Sequence, residues 1–331
     1  MPTPSRAQAH SPSRSIRPAA AVSPAAAIRP AAPVSLAAAI RARAGALPVR
    51  ELDRLGVSRS ARAAAVAAGS IIAVRPGWFA VHDAPTAVLD AVRVGGALTA
   101  ASVARLHGLW LLGDPQLHVR VAAGASRLRS PADRAVPLAA AHEVCVHYRQ
   151  RRGGPGDLPA RDGLPRALAE MFTCEGVVPT MTALDSALNS GELGSTGRAE
   201  VRALVPGRFR RFVDAADAGC DSGLETIARL LLVSRRVRHI TQAWIPGVGR
   251  VDLLIGDRLV VELDGAGFHI DPPEFEEDRR RGLELAMQGY LLVRLTYRMV
   301  VDDWDRTQSM VLELIARGEH RWGSRAAPHG R

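Results

Sequence analysis

The sequence predicts a multidomain α/β protein, and three observations predict it. Two short apolar runs, Gly249–Leu254 and Val260–Gly265, lie close together, and a third, Leu291–Thr296, follows a charged segment of helical length. Upstream, over residues 47–83, two short helical patterns precede two strand-like runs separated by a turn. Ahead of both, residues 1–46 are rich in Ala, Pro, Ser and Arg and show no periodic apolar pattern until about Leu36. That composition reads as a disordered basic tail.

Within 47–83, Glu51–Leu55 makes a short helix ended by Gly56. Ser58 caps a second helix through Ala68, and Gly69 stops it. Ile71–Val74 and Trp78–Val81 flank Arg75-Pro76-Gly77, a hairpin turn by composition. Two helices and a hairpin in this order describe a small winged helix-turn-helix. In such a fold the second helix enters the major groove and the wing touches the phosphate backbone. Arg59 and Arg62, in the first turns of the second helix, and Arg75 at the wing tip are the candidate nucleic-acid contacts. The plainer alternative is a small α/β cap with solvated arginines.

Residues 84–150 read as a middle α/β region. Helical patterns cover Thr86–Val94 and Thr99–His107, and strand alternation covers Leu117–Val121 and Glu143–Tyr148. Residues 151–218 combine an Arg/Gly/Pro-rich linker with two or three helices, punctuated by Pro179, Gly191 and Pro206. Residues 219–318 begin with a helix capped by Asp221 or Ser222 and running to about Arg235. Strands follow near 239–244, 249–256 and 258–264. A charged helix spans Glu274–Met287, a strand Leu291–Thr296, and a closing helix runs from Asp302 or Asp303 to Ala316. The order is α-β-β-β-α-β-α, with 319–331 as a flexible tail.

Composition narrows the function. All 43 basic residues are arginine, so a Walker A lysine, a kinase strand lysine and a Schiff-base lysine are excluded. Seven arginines and no acid fall in residues 1–50, which leaves 36 Arg against 33 acids in the remainder. The basic balance therefore belongs mostly to the tail, and is a weak argument for a nucleic-acid surface on the folded part. No run of 18 apolar residues predicts a membrane span. The Ala-rich start lacks an apolar core of secretory type, although its acid-free, Arg-bearing composition superficially resembles a transit peptide. Cys145, Cys174 and Cys220 are far apart and form no paired-cysteine zinc framework, so a reducing cytoplasm is expected. The pair His142-Glu143 has its next histidine five residues on, at His147, where a zinc-protease helix needs four; that activity is rejected.

The chemistry concentrates in 219–318. Glu262 and Asp264 are two apart on a strand, so both point to one face. With Asp252 ending the neighbouring strand on that face, three carboxylates converge. Like charges so close are costly unless a cation neutralises them. Mg²⁺, or Mn²⁺ in its place, is the natural partner, since it binds carboxylate and phosphate oxygens together.

Several spaced elements carry a resemblance. Ser222-Gly223-Leu224-Glu225 opens a helix and Val251-Asp252-Leu253 lies in a strand. Glu262-Leu263-Asp264-Gly265 ends the next, followed by His269, Asp278-Arg279 and Gly289–Arg294. Together, over about 100 residues, they resemble the PD-(D/E)XK nuclease superfamily, and within it the small proteins related to the very-short-patch mismatch-repair endonuclease. The resemblance implies a restriction-endonuclease-like core and Mg²⁺-dependent DNA cleavage in repair or in defence against foreign DNA. It makes Asp252 and Glu262 metal ligands. Asp264, the third carboxylate of the site, stands where the wider superfamily has lysine. His269 becomes the general base, Asp278 its orienter or a contact of the metal shell, and Glu225 a holder of water in that shell. Arg279 and Arg294 would meet DNA phosphate or the leaving group. Plainer readings stand beside these: a capping box for Glu225, turn chemistry for Asp264-Gly265, an idle loop histidine for His269, a solvated helix face for Asp278 and a structural ion pair for Arg294.

The stretch 47–121, including Val103–Trp110, more loosely resembles the N-terminal part of AbiEi-like antitoxins. That implies a second function: a DNA-binding transcriptional regulator with a silent nuclease fold and a cognate toxin as partner. An RNA nuclease is the third reading. DNA is the expected partner, in the cytoplasm or on the nucleoid. Cutting both strands with one such domain would need a homodimer or two successive nicks.

Overall fold

Ser35 accepts the N–H of Ala38 on its hydroxyl and opens a first helix, α1 (Leu36–Arg41). Ala44 and Gly45, both at positive φ, turn the chain into strand β1 (Ala46–Pro48). Ile40, Ala46 and Leu47 are fully buried. Residues 35–46 are therefore packed structure, not the end of a disordered tail. A six-residue helix with one buried side chain is too short to display a helical period, which is why the pattern does not announce it. A computed structural model describes residues 35–113, 116–138, 144–149, 156–265 and 272–323, with backbone alone for 272–275. His142, Glu143 and His269 lie outside the described residues. From Ser35 onward the described residues form one compact unit.

Helices α2 (Val49–Arg54) and α3 (Arg59–Ala67) follow, then β2 (Ile72–Arg75) and β3 (Trp78–Ala80). Ser58 caps α3 by accepting the Ala61 N–H at 3.1 Å. β1 and β2 both pair antiparallel with β3, giving a sheet of order β1-β3-β2. The middle region contributes α4 (Thr86–Val94), β4 (Ala97–Leu98), α5 (Ala100–Leu106), β5 (Leu117–Val121) and β6 (Val144–Tyr148). Here the order is β4-β5-β6, with β5 and β6 parallel.

Four helices then cover the ground where two or three were expected: α6 (Leu164–Cys174), α7 (Val177–Asn189), α8 (Gly194–Leu204) and α9 (Arg210–Asp214). Pro179 does not punctuate. It is the third residue of α7, where an N–H has no intrahelical acceptor to lose. These helices and both upstream sheets share one apolar core. A buried ion pair, Arg229 to Asp185 at 2.7 Å, joins α7 to the next helix, α10 (Gly223–Ser234). Gly223 sits against the Trp110 indole so closely that a Cβ there would fall 2.0 Å from a ring carbon.

From α10 onward the chain forms β7 (His239–Ile245), β8 (Gly249–Ile255), β9 (Leu259–Asp264), α11 (Pro272–Met287) and β10 (Leu291–Thr296). α12 (Tyr297–Val301) and α13 (Trp304–Ala316) complete it. The expected α-β-β-β-α-β-α order holds, with α12 added. α12 starts directly at the strand end on the Thr296 cap, and its five residues are too few to display a helical period. The sheet order is β10-β9-β8-β7; β7, β8 and β9 are antiparallel, and β10 runs parallel to β9. A parallel neighbour needs a crossover, and α11 is that crossover. Alternation puts Leu253, Val261, Leu263 and Leu295 on the face shared with α10, α12 and α13. Val260, Leu254 and Leu292 pack with Leu285 of α11 on the other face. The chain end is partly docked: Trp322 meets Tyr290 edge-on at 5.2 Å, and His320 is buried. The flexible tail is thus corrected for residues 319–323. No helix among the described residues is long and apolar enough to cross a membrane.

Candidate functional site

β8 supplies Asp252, and β9 supplies Glu262 and Asp264. The β8–β9 ladder runs through Ile255↔Leu259, Leu254↔Val260 and Leu253↔Val261. One step further, the Asp252 carboxylate accepts the Leu263 N–H at 2.8 Å. A side chain has taken the ladder partner's place, so the two strands part where the acids stand. Parallel pairing sets Arg294 beside Glu262 and Thr296 beside Asp264. Asp252, Glu262 and Arg294 are half-buried, whereas Asp264 is exposed.

α11 closes over this end of the sheet. Asp278, Arg281 and Leu285 recur at helical spacing along one stripe. Asp278 accepts two hydrogen bonds from the Arg294 guanidinium, at 2.5 and 2.6 Å. Arg281 donates to Glu262 at 3.2 Å and to the Arg250 carbonyl at 2.5 Å. Arg294 also lies 3.5 Å from Glu262. Asp278 therefore belongs to the site's ion-pair network, as does Arg294. Arg279 is exposed on the same helix.

Glu225 comes from the first turn of α10 and is buried. Its carboxylate accepts from Gln242 Nε2 at 2.8 Å and from the Asp221 N–H at 3.1 Å. Gln242 Nε2 also reaches Asp252 at 3.4 Å. Ser222 accepts the Glu225 N–H at 3.2 Å, so the capping role and a place in the site coexist. Gln242 adopts φ +49 inside β7, in a region that non-glycine residues enter at a cost. Arg250 grips its amide oxygen at 2.6 and 3.0 Å.

Burial pushes the carboxyl groups of Glu225, Asp252 and Glu262 above their ordinary range. Arg281 and Arg294 oppose that rise at Glu262, and the Leu263 N–H and Gln242 oppose it at Asp252. The acids also raise one another: Asp252 acts on Glu225 and Glu262, and Asp264 acts on Asp252. Such a mutual field is the condition a hard cation relieves, and the donors are all oxygen. Oxygen donors suit a hard cation, but no three of these carboxylates bring an oxygen each within 4.8 Å of one another, which corrects the expected convergence of Asp252, Glu262 and Asp264. Glu262 already has guanidinium partners.

No family model matches the chain, and no curated protein matches it. Among solved structures, the catalytic domain of the homing endonuclease I-Bth0305I is similar to part of it. The match covers 30% of this chain and 97% of that domain, at 18% identity and a TM-score of 0.26. The chemistry of the site therefore rests on its own residues.

The upstream arginines divide. Arg59 is exposed on α3. Arg62 is buried; its guanidinium donates to Asp53 at 2.5 Å and to the Val57 carbonyl at 2.7 Å. It is a strut between α2 and α3 rather than a free contact, which corrects its placement. Arg75 is half-buried and stacks over the Trp78 ring at 5.3 Å. Half-buried against Trp78, it is not a solvated wing tip, and burial together with the neighbouring Arg134 lowers its pKa.

Sequence reasoning misses Gln242, Arg250 and Arg281. Arg281 is within its reach, being three residues beyond Asp278 on a predicted helix. It also misses a second constellation. Among the described residues, one set of His, Cys, Asp or Glu gathers its donor atoms within 4.8 Å of one another: His118, Cys145, His147 and Cys174. Cys145 and Cys174, far apart in the sequence and in no paired-cysteine motif, are thus brought together with two histidines in a group that could hold a metal ion. Cys145-x-His147 on a strand is the available signal, because residues two apart share a face.

Proposed function

We propose that this protein is a metal-dependent endodeoxyribonuclease whose site is the parted end of β8 and β9. The observation that carries the reading is the Asp252 carboxylate replacing a ladder acceptor at Leu263, beside Glu262 and Asp264. Asp252, Glu262 and Asp264 would hold Mg²⁺ or Mn²⁺. Such an ion supplies Lewis-acid charge for water activation and for the scissile phosphate. Glu225, through Gln242, orients Asp252. The Asp278 pair keeps Arg294 charged and aimed at the acids, where a phosphate would also be drawn. His269 is the proposed general base. Duplex DNA is the proposed substrate, with α3 and the β2–β3 hairpin as its docking module and Arg59 as its phosphate contact.

A second reading is supported by the guanidinium groups of Arg281 and Arg294, which already neutralise Glu262. A site satisfied by arginine needs no cation, and would suit a silent fold in a DNA-binding regulator or antitoxin with a toxin partner. Incubating the purified chain with supercoiled plasmid and Mg²⁺ or Mn²⁺ separates the two. Nicking lost in Asp252→Ala and Glu262→Ala supports the nuclease. Tight binding to its own promoter without cleavage at either metal contradicts it. A preference for single-stranded RNA over duplex DNA would replace DNA as the substrate.

A further inference from the structure

β5 and β6 run parallel, and their register sets His118 directly beside Cys145. His147 is two residues along β6 on the same face as Cys145. Cys174 is the last residue of α6 and completes the group. His118 is buried and the other three are half-buried.

All four donor atoms lie within 4.8 Å of one another, and three of the six distances match edges of a coordination tetrahedron. His118 Nδ1 lies 3.2 Å from His147 Nε2. Cys145 Sγ is 3.6 Å from His147 Nε2, and Cys174 Sγ is 3.7 Å from His118 Nδ1. Zinc bonds of about 2.0 Å to nitrogen and about 2.3 Å to sulfur give tetrahedral edges of roughly 3.3 Å between nitrogens and roughly 3.5 Å between nitrogen and sulfur.

The outer partners point the same way. His118 Nε2 lies 3.0 Å from a Glu175 carboxylate oxygen, and His147 Nδ1 lies 3.3 Å from one of Glu170. Histidines that bind zinc commonly turn their second nitrogen to a carboxylate, which fixes the tautomer. The two inner nitrogens face each other across 3.2 Å, as two ligands of one ion would. Two sulfurs and two imidazole nitrogens in this shape select zinc over magnesium or calcium.

We propose that His118, Cys145, His147 and Cys174 bind one zinc ion in a closed, structural site that fastens β5 and β6 to the end of α6. Four protein ligands leave no open position, so the ion stabilises the fold and takes no substrate. The proposal is independent of the nuclease reading, since its residues and its ion are different.

The test is the metal content of the intact chain, purified under reducing conditions without chelator and measured by elemental mass spectrometry. One zinc per chain is expected in the wild type and in Cys220→Ala, and none in Cys145→Ser. Because Cys145→Ser can fail to fold, the wild-type chain is also stripped and titrated with Co²⁺. Tetrahedral d–d bands with a thiolate-to-cobalt charge-transfer band, displaced by one equivalent of Zn²⁺, support the site. Glu175→Gln should keep the ion but weaken its affinity about 10-fold to 100-fold in chelator competition. A reduced wild type that holds no zinc and gives no cobalt spectrum overturns the proposal. So does a Cys145–Cys174 disulfide in a chain that binds no metal once reduced.

Discussion

The sheet end around Asp252 and the cluster around Cys145 are both sets of titratable side chains held by strands, and they are built on opposite plans. At the sheet end the donors are carboxylates, raised by burial, partly exposed and balanced by Arg281 and Arg294. In the cluster the donors are sulfur and nitrogen, drawn within 4.8 Å of one another with carboxylates behind the imidazoles. The first arrangement leaves its carboxylate oxygens more widely spaced than the donors of the cluster. The second has the spacing of an ion without solvent. The difference lies in compensation: the cluster draws its four donors into one small group, whereas the sheet end holds its acids apart and pairs them with arginine.

The largest expected effect falls on the cluster. Cys174→Ser should remove the zinc and lower stability by several kcal/mol, since binding energy at a structural site is folding energy. Urea unfolding followed by circular dichroism would show it; unchanged stability breaks the comparison. At the sheet end, Asp252→Ala or Glu262→Ala should cut nicking at least about 100-fold, beyond the cost of losing an outer-shell partner. Zinc content and unfolding midpoint should stay near wild type. Arg62→Ala should cost about 1–3 kcal/mol of stability, because it removes a buried guanidinium that satisfies Asp53 and the Val57 carbonyl. Arg59→Ala should leave stability alone and reduce the salt slope of DNA binding by about 1.

Arg281→Ala should be milder. Its pair with Glu262 is partly solvated, so the half-saturating Mn²⁺ should fall by no more than about 5-fold. A loss of activity instead would place Arg281 on the substrate. The smallest effect concerns Cys220, whose thiol is pushed up to about 12 by burial and stays neutral across the physiological range. Stripping zinc from the native chain should expose two thiols to iodoacetamide, at Cys145 and Cys174. Cys220 should react only on unfolding, as read by peptide mass spectrometry.

The two regions also differ in how legible they are in the sequence. Asp252, Glu262 and Asp264 lie within thirteen residues, on two strands whose alternation and turn are local. Strand period alone brings them to one face, so the sheet end can be read from the order of residues. The α11 stripe is only half-legible: Asp278 stands out and Arg281 does not, because one dense charge run hides which positions face inward. The cluster spans His118 to Cys174 on three elements, and only the parallel register of β5 and β6 brings its members together. Nothing in cysteine spacing reports a sheet register. Arg62 misleads for a related reason. Helical position puts it on an early turn of α3, but α2 packs there and supplies Asp53.

The proposed phosphodiester-cleaving site, with oxygen ligands, stands apart from the proposed zinc site, with sulfur and nitrogen ligands. One preparation tests it: the wild-type chain treated briefly with EDTA, desalted, and assayed for plasmid nicking and zinc content before and after Mg²⁺ is returned. The expected result is nicking that vanishes with EDTA and returns with Mg²⁺ while zinc stays at one per chain. Nicking restored by zinc alone, or absent with Mg²⁺ and Mn²⁺ on a folded, zinc-loaded protein, would contradict it.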